Sequence, residues 1–195
     1  CWREHTAAEE VAGMTDEGVQ ERLPAPASLD DLFQRLGRAQ GSGDGVNTPL
    51  DLRGADLAGL DLSVLHLLVV DFRGARLAGA DFSRVNVSGS DFSGADARAV
   101  IFAEADVSDS HFDGANLMGA TFAEAQASCA CFDGANMAGA ILDHADASYA
   151  TFTSADLSGA SLSAADLSAA DLADAIFDAQ TDLSGITSDA QTRLP

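Results

Sequence analysis

The sequence predicts an all-β solenoid, and three observations carry the prediction. From Leu52 to Phe177 every fifth residue is apolar without a break, which makes 26 consecutive five-residue repeats. Nine of the ten Phe fall on these centres, and 18 of the 26 positions two residues earlier are Ala, as at Ala55, Ala75, Ala115 and Ala155. Eleven of the 18 Gly lie two residues after a centre. A period of five fits neither the 3.6 of a helix nor the 2 of a flat strand, so the sides must be short and the corners must recur every five residues.

The first element, residues 1–45, is of another kind. Thr6-Ala7-Ala8-Glu9 reads as a capping box that opens a helix toward Leu23, and Pro24 and Pro26 stop it. Ser28 to Asp31 opens a second helix, in which Leu29, Leu32, Phe33 and Leu36 form one apolar face. Gly41 to Gly45 is a flexible joint. The apolar face is expected to cap the open end of the solenoid, because a bare coil edge offers unpaired backbone groups to other chains. Binding of a partner by that face is the other reading.

The second element is residues 46–177. Ala55-Asp56-Leu57-Ala58-Gly59, Ala115-Asn116-Leu117-Met118-Gly119 and Ala155-Asp156-Leu157-Ser158-Gly159 follow an A-(D/N)-L-x-x pattern with Leu or Phe at the centre. This resembles the pentapeptide repeat family, and the resemblance covers about two thirds of the chain. It implies a right-handed quadrilateral β-helix with four repeats, hence 20 residues, per coil.

Sorting positions by 20 tests that coil independently. Phe72, Phe92, Phe112, Phe132 and Phe152 form one stack, and Phe82, Phe102 and Phe122 with Leu142 form the stack half a coil away. Smaller residues face larger ones in the other two stacks, such as Leu117 with Ala127 and Met137 with Ala147, which keeps a fixed cross-section filled. Ten of the eleven corner Gly belong to two of the four stacks, so type II corners are expected there and other turn types on the remaining two, where Arg84, Glu104, Glu124 and His144, or Asp109, Cys129 and Tyr149, replace Gly. Pro is absent between 50 and 194, as an uninterrupted ladder requires. With coils about 4.8 Å apart, 26 repeats make about 6.5 coils and a rod about 31 Å long.

The third element, residues 178–195, starts where the phase breaks. Leu183 arrives one residue late and Ile186 follows without a repeat, so a C-terminal cap is expected.

Composition limits function. The net charge is −21, with 31 acids, ten Arg and no Lys. Such a surface repels nucleic acid and anionic membranes, so neither is an expected partner, whereas a protein with a basic groove is. Residues 99–192 hold 15 Asp or Glu and no Arg or Lys. That stretch covers about 23 Å of axis, or about one negative charge per 1.5 Å, close to the one per about 1.7 Å of duplex DNA. The interaction surface is therefore placed on Asp106, Asp109, Asp113, Glu124, Asp133, Asp143, Asp146, Asp156, Asp166 and Asp171. The competing explanation is that Asp suits the position beside each centre and that acidity keeps a rod soluble.

No enzyme signature is present: the chain lacks Gly-x-x-x-x-Gly-Lys, His-Glu-x-x-His, Gly-x-Ser-x-Gly and an EF-hand loop, and a filled core leaves no pocket. Neither cofactor nor metal is expected. One column stacks His111, Cys131 and Thr151 with Cys129 at the next corner, but Asp113 leaves the same strand two residues away, and exposed, unreactive side chains are expected there. An Arg84–Glu104 pair one coil apart is easy to form and contributes little.

Cys1, Cys129 and Cys131 form no disulfide framework by count, and the simplest setting is a bacterial cytoplasm. A chain beginning at Cys1 is also compatible with a fragment or with a lipidated, secreted form. The expected function is a rigid, acidic, non-enzymatic interaction scaffold. Some members of the family that the repeats resemble inhibit or shield DNA gyrase and topoisomerase IV by mimicking duplex DNA, so the resemblance implies a topoisomerase as one partner. A secreted or surface-delivered module addressed by residues 1–45 is the alternative, and a homodimer joined through an end cap is the other association the architecture permits.

Overall fold

The structure, a computed structural model, describes residues 50–65 and 69–195. The helices and the cap expected from Leu29, Leu32, Phe33 and Leu36, the rest of segment 1–45, and the centre Leu67 lie outside the described residues.

Strands β1 (Leu50–Asp51) and β2 (Val70–Asp71) pair in parallel, Leu50 beside Val70 and Asp51 beside Asp71. Each later rung is a single parallel bridge between residues 20 apart, from Asp56 with Arg76 through to Asp156 with Ile176. The 20-residue coil read from the sequence is thus the observed one. Sides are this short because each bridged residue is followed by its centre and then by a corner. The bridges define four outer faces: face 1 carries Asp71, Asp91, His111, Cys131 and Thr151; face 2 carries Arg76, Asp96, Asn116, Asn136 and Asp156; face 3 carries Asp81, Ile101, Thr121, Ile141 and Ser161; face 4 carries Asn86, Asp106, Gln126, Asp146 and Asp166.

Backbone hydrogen bonding explains the repeat residue by residue. Around Phe92, the Asp91 amide donates to Val70 O at 2.9 Å, Phe92 to His111 O at 2.7 Å, Gly94 to Asp113 O at 2.9 Å, and Ala95 back to Phe92 O at 3.0 Å. One amide of the five remains, that of Ser93, and it donates to the Asp91 carboxylate at 2.9 Å. A short polar side chain before the centre therefore completes the set, which is why Asp and Asn recur there.

Inside, the Phe stacks repeat at the coil spacing. Phe92 and Phe112 lie 4.8 Å apart at 4°, and Phe132 and Phe152 4.9 Å apart at 6°. The two walls meet edge to face, Phe112 against Phe122 at 5.7 Å and 89°. Phe72, Phe82, Phe92, Phe102, Phe112, Phe122, Phe132 and Phe152 are all fully buried. Ala beside each centre follows from the little volume left between two aromatic walls. Two Ser enter this interior with partners: Ser90 Oγ accepts from the Val70 amide and Ser110 Oγ donates to Val87 O, both at 3.0 Å.

The corners differ from the sequence expectation. Left-handed φ occurs at the third corner residue on all four faces, near +65° at Gly54 and Gly119 and also +63° at Arg84, +57° at Asp109, +58° at Glu124 and +59° at Tyr149. Gly therefore marks where the strain is relieved and does not select a different sign of φ. The ladder imposes the geometry, since each corner amide must reach a carbonyl of the next coil, and the other side chains bear the left-handed strain. Val69, β-branched, adopts it at +47°.

From residue 178 the chain keeps winding. Ser161 bridges Asp182, Asp166 bridges Thr187 and Asp171 bridges Arg193, so the offset grows from 20 to 21 and then to 22. The lost phase is two single-residue insertions, each in an identical Asp-Ala-Gln-Thr corner, 178–181 and 189–192. In the first, Asp178 Oδ1 accepts from the amides of Gly159 (2.9 Å), Gln180 (2.9 Å) and Thr181 (3.1 Å), while Thr181 Oγ1 donates to Leu157 O at 3.0 Å. Asp189 and Thr192 repeat this on Ala169, Gln191, Thr192 and Leu167 O.

Candidate functional site

The outer surface divides along the axis. Residues 50–98 carry seven Asp and five Arg, a net of −2, and residues 99–192 carry 15 acids and no Arg or Lys, a net of −15. In the first part the guanidinium groups sit on the carboxylates: Arg53 on Asp51 at 2.7 Å, Arg73 on Asp71 at 2.6 Å, Arg76 on Asp56 at 2.7 Å and Arg98 on Asp96 at 2.7 Å. Arg84 reaches across one coil to Glu104 with two hydrogen bonds of 2.8 and 3.1 Å, the pair expected from the sequence. The Arg98 hydrogen bond holds the Asp96 carboxyl below its ordinary range, and the Arg84 hydrogen bond does the same for Glu104.

In the second part Glu104 and Asp171 alone pair with Arg among the described residues, and the other acids have other partners or none. Asp146 and Asp166 accept from the hydroxyl and the amide of Ser148 and Ser168, and Asp143 accepts from Ser161 Oγ at 2.5 Å and from the Ser163 amide at 3.2 Å. The side chains of Asp109, Glu124 and Asp174 make no hydrogen bond or ion pair among the described residues. Besides Arg84 on Glu104, two basic side chains touch this part: His111 lies 3.4 Å from Asp113, and Arg193 lies 2.6 Å from Asp171. The Asp113 hydrogen bond raises the His111 pKa, against burial.

The ten acids chosen from the sequence are spread around the rod and do not form one cluster. Asp113, Asp133 and Asp171 lie on face 1, Asp156 on face 2, Glu124 and Asp143 on face 3, and Asp106, Asp109, Asp146 and Asp166 on face 4, with corner residues assigned to the side they follow. Around the circumference the charge is therefore uneven, with face 2 the least acidic.

The expectation at His111, Cys131 and Asp113 is corrected in part. Their ligand atoms lie within 4.8 Å of one another. Cys131, however, is buried and disulfide-bonded, so it is neither exposed nor a thiolate ligand, and the count-based expectation of no disulfide fails at this residue. Its outward side chain is covered on a face where Asp91 and His111 are not. Cys129 remains a free, half-buried thiol. A depression of about 460 Å³ lies on face 3, lined by Ser63, Asp81, Ser83, Arg84, Ala103 and Glu104. Among the described residues no helix is long and apolar enough to cross a membrane.

Single-bridge rungs, a 20-residue lap and a stacked Phe interior define a right-handed quadrilateral β-helix. The family profile described as Pentapeptide repeats matches residues 70–102, 101–139 and 140–178, more than half of the chain, and the chain belongs to that family. No curated protein matches it. Among solved structures it is similar to a pentapeptide repeat protein from the thylakoid lumen of Arabidopsis thaliana, at 27% identity and a TM-score of 0.38, covering 51% of this chain and 58% of that one. It is also similar to HetL, a pentapeptide repeat protein involved in heterocyst differentiation regulation from the cyanobacterium Nostoc sp. strain PCC 7120, at 24% identity and a TM-score of 0.38, covering 82% and 93%. A third is QnrB1, a plasmid-mediated fluoroquinolone resistance protein, at 20% identity and a TM-score of 0.41, covering 72% and 80%. The chain thus spans little more than half of the first of these structures.

Proposed function

We propose that this chain is a non-enzymatic scaffold whose residues 99–192 bind a protein with a basic groove of the kind that holds duplex DNA, a type II topoisomerase such as DNA gyrase being the partner to test first. The observation that carries this reading is that the fold does not need the negative charge. The amide after each centre is satisfied equally by neutral Asn: Asn86 accepts from Ser88 at 3.0 Å and Asn136 from Ala138 at 3.1 Å, as Asp91 does from Ser93. Asp109, Glu124 and Asp174 go further, since they sit at left-handed corners where Gly is less strained and their side chains bond to nothing among the described residues. Charge retained where neither hydrogen bonding nor backbone geometry asks for it supports recognition of a cationic surface.

A supercoiling assay with DNA gyrase at low salt, where electrostatic association is strongest, tests the reading. Inhibition or protection at micromolar protein is expected, and it should weaken as salt rises. No effect at any salt concentration would discard topoisomerase binding.

A further inference from the structure

Across the acidic half, one strip, the bridged column of face 3, carries no charge between Asp81 and Asp182. On face 3 the bridged column runs Asp61, Asp81, Ile101, Thr121, Ile141, Ser161 and Asp182, so polar residues at both ends enclose an aliphatic middle. Two residues further on, Ala103 and Ala123 share that face, and across the corner with face 2 stand Met118, Gly119, Ala138 and Gly139. Met118 is 46% exposed and Ile141 41% exposed, although a short polar residue at the Ile141 position would serve the ladder and also cap the next amide. The face-4 edge of the strip is acidic, with the side chain of Glu124 unpartnered among the described residues and Asp143 at the lower end.

We propose that this strip, centred on Ile101, Met118, Ala123 and Ile141, is the docking face for a cationic amphipathic helix of the partner, its apolar side on the strip and its Lys or Arg toward Glu124 and Asp143. The proposal rests on the reading that the partner is basic, and it adds where the rod is gripped and what else the partner must offer. Charge complementarity selects this occupant. An apolar surface framed by carboxylates, on a rod of net charge −15 over residues 99–192, repels an acidic segment and a second copy of itself, and a neutral-polar segment gains from it neither ion pairing nor apolar burial. The strip suits a helix, whose long basic side chains can lay their stems on Ala103 and Ala123 and carry the charge to the rim.

Two labelled peptides of equal charge serve as probes on the full chain, one a Leu/Lys amphipathic helix and the other a Lys/Ser peptide without an apolar side. The amphipathic peptide should bind more tightly, and the double variant Met118→Gln with Ile141→Thr should weaken it by about tenfold or more, the effect of losing buried aliphatic contact. The Lys/Ser peptide should not distinguish the variant, and Ile176→Thr, on face 2 near the closing coil, should leave both peptides unchanged. Thr keeps β-branching at the bridge, and an unaltered far-UV spectrum confirms folding. Equal binding of the two peptides, or indifference of the amphipathic one to the double variant, overturns the strip while leaving the basic-partner reading intact. Failure of both peptides to bind at low salt overturns both.

Discussion

Coils from residues 50–98 and coils from residues 99–192 share one interior and differ in their exterior. Phe72 and Phe92 stack at 4.7 Å, and Phe132 and Phe152 at 4.9 Å, so the core is indifferent to position along the axis. Outside, the first region matches Asp with Arg to a net of −2, whereas the second accumulates −15. The difference teaches that the repeat fixes the inward and backbone-capping positions and leaves the other outward ones open to selection for something besides folding. The two regions thus differ by 13 negative charges along one rod, from −2 over residues 50–98 to −15 over residues 99–192.

The largest effect expected on either region is from the core. Phe82→Ala and Phe132→Ala should each cost about 3–5 kcal/mol in denaturant unfolding, and by similar amounts, because each ring stacks on or meets Phe of neighbouring coils. A marked inequality would mean that the two regions do not share one interior. Corners come next. Gly119→Ala, at φ +67° with open space around the added Cβ, should destabilise by about 1 kcal/mol from left-handed strain alone.

Acid should loosen the closing coil. The amide of Gly159, followed by those of Gln180 and Thr181, lowers the Asp178 pKa, and the amide of Ala169 leads the same effect at Asp189. A depressed carboxylate stabilises fully above its unfolded value of 3.8 and loses that contribution as pH falls through the folded value. The protection factors of the Gly159 and Ala169 amides, taken against the intrinsic exchange rate at each pH, should therefore fall on acidification below that window before the central coils open, and Asp178→Ala should reproduce the Gly159 effect at neutral pH. Simultaneous loss of protection everywhere would contradict a separately closing coil. The smallest effect expected is from Arg84→Ala: the pair with Glu104 is exposed on both sides and screened by water, so unfolding should not distinguish the variant.

Much of this was legible in the sequence, because a five-residue period with Phe every tenth position leaves one way to bury the aromatics. The coil length, the stacks and the Arg84–Glu104 pair all followed from spacing. The corner conformations did not, since Gly frequency reports the ease of a left-handed φ, whereas the ladder imposes that φ on Asp109 and Tyr149 as well. The phase break after Phe177 is real, but the continued winding beyond it did not follow from spacing, although the recurrence of Asp-Ala-Gln-Thr eleven residues apart marks the two inserted residues. Cys131 eluded spacing altogether, because burial of an outward residue depends on what covers it. The aliphatic strip was visible only as Ile101 and Ile141 breaking a polar column, and it takes its meaning from the faces that the fold assembles around it.

Competition for a labelled duplex bound to DNA gyrase tests the central claim most directly. The chain should displace the duplex. Neutralising Asp106, Asp109, Asp146 and Asp166 to Asn, or Asp109 to Gly, should sharply weaken displacement without loss of fold, and Asp61→Asn with Asp81→Asn should leave it nearly unchanged. Equal displacement by both sets of variants, or none by the unaltered chain, would contradict the assignment of function to the acid-only half.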